Sequence, residues 1–196
     1  MINYLFGFFL IIGCLYGFFT GNINSINDVL INSGKNSIEL IFSMIPLLCL
    51  WLGLMKIAEE SGMVFKISRL MSKIIRPIFP ELKKDSDAIS YISTNIVMNM
   101  LGLGSGATPF GLKAMDELKK ENDNSDVASR SMITFLVINT ASVTLIPTTV
   151  ISFRVLNGAR EPTDILLAVI ITTILSCAFG LVIDRLVYRL WRNRYD

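Results

Sequence analysis

The sequence contains no histidine among its 196 residues, which removes the commonest general base and the commonest metal ligand. Its three cysteines, Cys14, Cys49 and Cys177, each stand alone in an apolar stretch without CxxC or Cys/His spacing. Neither a disulfide framework nor a zinc site is therefore expected, and the three read as buried spectator thiols. No acid–base pair can be oriented: Glu59 and Glu60 belong to a solvated face, and no nucleophile stands beside a base. No catalytic residue, metal or cofactor is predicted, and the chain is not read as an enzyme. Charge is scarce as well, at 17% of residues with a net value of +2, against about 25% in ordinary soluble domains. The basic residues gather in discrete segments, which argues against a nucleic-acid surface. No soluble domain, long linker, low-complexity segment or internal repeat is visible, so residues 1–196 read as one domain.

What is abundant is apolar surface, 52% of residues, and this composition indicates an all-α integral membrane protein. The first apolar run, Ile2 to Phe19, is long enough to cross the ~30 Å hydrocarbon core, which takes about 20 residues. It lacks a basic n-region and a small-x-small cleavage site before Gly21-Asn22, so it reads as a retained span. A polar stretch, Asn22 to Ser37, precedes a second span at about Ile38 to Met55. Seven of the 18 Lys and Arg residues then fall between Lys56 and Lys84, which by the positive-inside rule predicts a cytoplasmic segment.

Within that segment Lys66, Arg69, Lys73 and Arg76 recur at spacings of three, four and three. Val64, Ile67, Met71, Ile74 and Ile78 fill another face. The pattern predicts an amphipathic interfacial helix drawn to anionic lipid headgroups, ending near Pro77 and Pro80. The alternative is a basic solvated face packed on the protein's own spans.

Ala88 to Leu101 is helical in pattern but polar for a span, with Tyr91, Asn95 and Asn99 one turn apart on one face. Glycines then interrupt it at Gly102, Gly104 and Gly106, before Thr108 and Pro109. A second helix, Phe110 to Lys120, carries the pairs Lys113 with Glu117 and Asp116 with Lys120. Basic residues flank both sides, and a segment that enters and leaves on one side is re-entrant, so Gly102 to Pro109 is expected at the tip of a helical hairpin in the membrane. Gly102 suits a left-handed helix end, and Thr108 with Pro109 suits the N-cap and first position of the next helix. Close packing of small residues is the plainer reading.

Ser131 to Ile151 is the third expected span, with a polar interior at Asn139, Thr140, Ser142 and Thr144. Pro147 cannot donate to the Val143 carbonyl, so the helix is expected to kink or unwind there. After an outer loop with Arg154 and Arg160, the fourth span runs from about Ile165 to Ile183 with a small-residue ridge of Thr172, Ser176 and Gly180. Asp184 is expected at the inner boundary, and Arg185, Arg189, Arg192 and Arg194 place the end of the chain in the cytoplasm. The expected architecture is four spans, one re-entrant hairpin and one interfacial helix, with both termini cytoplasmic.

With Asn99 to Met115 and Arg130 to Val150 in view, the chain closely resembles the spore maturation branch of the nucleoside-recognition, or Gate, domain family. Matching runs are Trp51-Leu52-Gly53-Leu54-Met55-Lys56-Ile57-Ala58-Glu59, Gly102 to Met115 and Ser129 to Ile151. The resemblance implies a multi-pass protein in the membrane of the developing spore of a spore-forming bacterium. It would act in dehydration of the spore core together with spore maturation protein B. Related Gate domains occur in concentrative nucleoside transporters and ferrous-iron transporters, and in the nucleoside carriers hairpin tips and unwound helices form the substrate site.

The chain departs from the family in carrying Ser105-Gly106 where relatives tend to have Asn-Ala. It departs from a complete carrier in having one hairpin and one broken span. The missing half is expected from spore maturation protein B or from a second Gate-domain copy. The expected function is half of a hetero-oligomeric transporter for a small polar solute or ion, with a non-transporting scaffold as the alternative. Asn95, Asn99, Gly104, Ser105, Thr108, Asn139, Thr140 and Ser142 are expected to line the solute site, with breaks at Gly102, Gly106, Pro109 and Pro147.

Overall fold

Long apolar runs make long helices, and polar, glycine-containing stretches make short ones. A computed structural model of the chain describes residues 2–21, 23–83 and 85–195, without the side chains of residues 23–25, 27, 105 and 191–195. Its elements are all helical: α1 (Ile2–Phe19), α2 (Ile23–Glu60), α3 (Met63–Ile75, running into a short 3-10 turn), α4 (Asp87–Met100), α5 (Gly104–Glu121), α6 (Arg130–Ala141), α7 (Thr148–Leu156) and α8 (Leu166–Tyr195). Among the described residues three segments are long and apolar enough to cross a membrane: Ile2–Phe19, Asp28–Glu60 and Leu166–Leu190.

Two compact units are present, residues 1–46 and 47–196. In the first, α1 buries only Gly17 and leaves Phe6, Phe9 and Phe18 exposed. A helix that is apolar all round and uncovered by protein suits lipid, not water. Two expectations change here. The polar stretch predicted before the second span is helical from Ile23 onward, stapled by Ser37 Oγ donating to the Ser33 carbonyl (2.7 Å) and by Lys35 beside Glu39 (3.8 Å). Cys14 and Cys49 are exposed, and only Cys177 is buried, because α1 and α2 present apolar side chains on every side and bury almost none.

In the second unit α4 is central. Ser86 caps it, its Oγ accepting from the Ala88 N–H at 3.2 Å. Covered by α3 and α5, α4 buries Ala88, Ile89, Ile92, Ser93, Asn95, Val97 and Met98. Its hydroxyls are satisfied on the helix itself: Ser93 Oγ donates to the Ile89 carbonyl and Thr94 Oγ1 to the Ser90 carbonyl. That back-bonding lets a polar helix sit in an apolar core. On α5, Glu117 pairs with Lys120 at 2.7 Å instead of the expected Lys113, whose ammonium lies 5.8 Å from the Tyr91 ring centre.

The amphipathic helix α3 has three faces, where the sequence pattern suggested two. Val64, Ser68 and Ile75 are buried. Lys66, Arg69 and Lys73 are exposed, and so are Met63, Ile67, Leu70 and Ile74, an apolar stripe at helical spacing. The apolar face read from periodicity is thus divided: Val64 turns to the protein core, and Ile67 and Ile74 stay exposed. Arg76 leaves the basic face too: it is half-buried, and its guanidinium donates to the Lys83 carbonyl at 3.1 Å.

Helices α6 and α8 pack together through Phe135, Ile138 and Cys177. A Cβ on Gly180 would lie 3.3 Å from Val137 Cγ1, so this glycine sets the approach of the two helices. The expected ridge of Thr172 and Ser176 faces outward, and Thr173 and Cys177, one position further on, face inward. At the N-terminal end of α6, Arg130 makes a bidentate pair with Asp184 (2.6 Å to each oxygen), Thr134 Oγ1 donates to the same carboxylate at 3.0 Å, and the guanidinium lies 4.5 Å from the Tyr188 ring centre. Asp184 is buried in this cluster. Asp184→Ala would strand a largely buried guanidinium and is expected to cost about 3–5 kcal/mol, read as a large fall in the thermal midpoint of the purified protein.

Candidate functional site

The end of α4 is built by its sequence. Gly102 takes φ +79°, its N–H donates to the Asn99 carbonyl at 3.0 Å, and the Leu103 N–H donates to the Met98 carbonyl at 2.9 Å. These two bonds define a Schellman motif, and the apolar contact that accompanies it is present, since Leu103 and Met98 share one buried cluster. The next helix does not start where Thr108 and Pro109 predicted. It starts at Gly104, and both residues lie in its second turn. Thr108 Oγ1 donates to the Gly104 carbonyl at 3.3 Å, and Pro109 only deprives the Ser105 carbonyl of a partner. Gly106 is likewise inside the helix and not a break. Glycine costs about 1 kcal/mol in a helix relative to alanine, and here the cost is offset by packing: Ala107 and Ala114 are almost fully buried.

The second interruption is a full unwinding. α6 stops at Ala141, Ser142 takes φ +28°, and regular helix resumes at Thr148 after Pro147. The expected third span is therefore two short helices joined by non-helical backbone. Helix breaks leave backbone groups without partners, which is costly where water is absent. Here the breaks satisfy each other: the N–H groups of Leu145 and Ile146 donate to the Met100 carbonyl at 2.9 and 3.2 Å. The Thr144 N–H donates to Thr173 Oγ1 at 3.2 Å. Gly102 stands at the crossing, where an added Cβ would lie 2.5 Å from the Ile146 carbonyl oxygen.

Beside this crossing three asparagines form a chain. Asn95, 2% exposed, donates from Nδ2 to the Ala107 carbonyl at 2.9 Å. Asn99 Nδ2 faces two acceptors, Asn95 Oδ1 at 3.4 Å and Asn139 Oδ1 at 3.1 Å. Two clefts of about 420 and 400 Å³ share Asn99, Gly104 and Ser142 on their walls. The second also has Asn95, Thr108 and Asn139 on its wall. Thr140 is exposed and lines neither cleft. The Ser105 side chain lies outside the described residues. Gly106 and Pro109 face a different cavity, beside Met98 and Phe110.

Composition did not single out Gly111, Met100 or Thr173. A Cβ on Gly111 would lie 2.8 Å from Asn95 Nδ2, so only glycine leaves room for the buried amide. An asparagine pair one turn apart opposite a glycine-rich helix is the signal that could have pointed to it. Gly111→Ala is expected to push the amide off the Ala107 carbonyl and cost about 1–3 kcal/mol, measurable as an earlier thermal midpoint.

The chemistry available is polar and uncharged. Among the described residues no ionisable side chain lines either cleft, and no group of His, Cys, Asp or Glu is placed to hold a metal. Gly104 at the start of α5 and Thr148 and Thr149 at the start of α7 line the same cleft. Neither helix has a side-chain cap; the Thr148 N–H donates to the Ile146 carbonyl at 2.9 Å, and the first turn of α5 presents its N–H groups, with their partial positive charge, at Gly104. Amide oxygens and hydroxyls supply the acceptors. Such a wall suits a neutral polar molecule bearing hydroxyl, carbonyl or amide groups.

Residues 41–183 match the Gate family, described as nucleoside recognition. Spore maturation protein A of Bacillus subtilis (strain 168) is 41% identical over 188 residues, 96% of this chain and 96% of that protein. No solved structure matches the chain.

Proposed function

The chain belongs to the Gate, or nucleoside-recognition, family, and on that premise we propose that it is one half of a two-part membrane pathway for a small polar solute, acting in spore maturation. The observation that carries this reading is the crossing of the two helix breaks. A packed scaffold needs no unwound backbone, whereas a solute path does, because non-helical backbone at membrane depth belongs beside a wet cavity. The crossing lies between two clefts whose shared wall is amide, hydroxyl and backbone.

In this proposal α1, α2 and α8 span the bilayer, and α6 with α7 forms a fourth, broken span. Their 12 and 9 residues give about 31 Å of helix at 1.5 Å per residue, against a core of ~30 Å. α4 has only 14 residues, about 21 Å, and with α5 re-enters from the cytoplasmic side, the side of both termini. One hairpin and one broken span are half of what a carrier built from inverted repeats uses. The other half comes from spore maturation protein B or a second Gate-domain copy.

The test is uptake into liposomes holding this protein alone, spore maturation protein B alone, or both, with nucleosides, dipicolinate, amino acids and metal ions as candidate cargo. Flux only with both present is the expected result. Absence of flux for every solute, from a complex shown to be folded and inserted, would leave the scaffold reading. One observation favours that second reading, the exposed apolar stripe of α3 beside Lys66, Arg69 and Lys73, which suits a membrane surface. If the scaffold reading holds, charge reversal at those three positions impairs spore maturation more than any change at Asn139.

A further inference from the structure

A third polar cavity, of about 590 Å³, opens at the N-terminal end of α6, about 14 Å of helix away from Asn139. The hydroxyl-bearing residues Ser131 and Thr134, both buried, lie on its wall together with Arg130, Arg185 and Arg189, and Glu81 stands among them. Arg130 and Thr134 are committed to Asp184, and Ser131 Oγ lies 3.5 Å from Glu81 Oε2. Among the described residues Arg185 and Arg189 have no hydrogen bond or ion pair. Three guanidinium groups therefore face two carboxylates, and the cavity keeps a net positive charge with two arginines one helical turn apart and unused.

We propose that this cavity is an anion site that takes a phosphate group, its oxygens held by Arg185 and Arg189. Arginine forks match phosphate oxygens geometrically and are less strongly hydrated than an ammonium. Depth favours a lipid as the source. Counted from Leu166, the roughly 20 residues that cross the hydrocarbon core end near Arg185, so both arginines lie at headgroup level. The inference needs α8 to cross the membrane and does not need the clefts to carry solute.

The experiment uses the full chain purified in detergent, with native mass spectrometry for retained phosphatidylglycerol against phosphatidylcholine and calorimetry for inorganic phosphate. The variant is Arg185→Gln with Arg189→Gln, and the control of equal charge change is Lys119→Gln with Arg160→Gln, both exposed. Wild type and control are expected to bind at least about tenfold more tightly than the variant, the worth of one charge-assisted hydrogen bond. Among the described residues both arginines lack partners, so the thermal midpoint should not move. If the double variant melts early, the single replacements Arg185→Gln and Arg189→Gln should give the same ordering. Preference for phosphatidylglycerol without phosphate binding assigns the lipid, and phosphate binding without lipid preference assigns a soluble anion. Equal binding by variant and wild type, or none by wild type, overturns the proposal.

Discussion

Gly102→Ala is expected to be the most damaging small substitution in the chain, lowering the thermal midpoint sharply and abolishing flux together. Two independent terms act at that position. The left-handed backbone, φ +79°, costs a residue with a Cβ about 1–2 kcal/mol. The added carbon would also stand 2.5 Å from the Ile146 carbonyl oxygen and 2.8 Å from Thr148 Cγ2, so the two helix breaks must part. When they part, the Met100 carbonyl loses the N–H groups of Leu145 and Ile146, and each unpaired buried group costs a further ~1–3 kcal/mol. Thermal unfolding in detergent with protease sensitivity checks this. A variant as stable as wild type would mean that the crossing contributes little to the fold.

Asn139→Leu is expected to do the opposite, removing at least about nine-tenths of solute flux at nearly unchanged stability. Asn139 is exposed on the wall of the cleft, and its Oδ1 accepts from Asn99, whose amide keeps a second acceptor in Asn95. The fold therefore loses one partly redundant hydrogen bond, and the cleft loses a polar group and gains a branched apolar one. Asn95→Asp gives the contrasting outcome. It replaces the donor that faces the Ala107 carbonyl with a buried acceptor, so its loss appears first as unfolding. Flux through Asn139→Leu at the wild-type rate, from protein of normal stability, would remove Asn139 from the site.

The two interruptions were legible in the sequence for different reasons. Gly102 follows a periodic segment and ends it, and a left-handed cap needs nothing beyond local chemistry. Pro147 withholds an N–H, which is equally local. The restart of the hairpin was misread because Thr108-Pro109 is a good local cap and Gly104 to Gly106 is a poor helix. The decision was tertiary: α5 begins early because Ala107, Gly111 and Ala114 let it lie against α4. The three faces of α3 were invisible for a similar reason, since periodicity separates apolar from charged residues but cannot say which apolar side a neighbour covers. The partners of the Asn95 Nδ2 group and of the Met100 carbonyl are backbone groups, which carry no sequence signature.

The most direct test of the account is thiol accessibility at two adjacent positions of α6. In a chain with Cys14, Cys49 and Cys177 replaced by alanine, Asn139→Cys and Thr140→Cys are each treated in proteoliposomes with a charged, membrane-impermeant thiol reagent. Only an ionised thiol reacts, and lipid suppresses ionisation while water allows it. Asn139→Cys, on the wall of a wet cleft, is predicted to react, and Thr140→Cys, outside both clefts, is predicted to remain inert until detergent is added. A Thr140→Cys protein that reacts as fast as its neighbour, or an Asn139→Cys protein that reacts only after unfolding, would contradict the claim that the crossing of the two helix breaks borders a solute path.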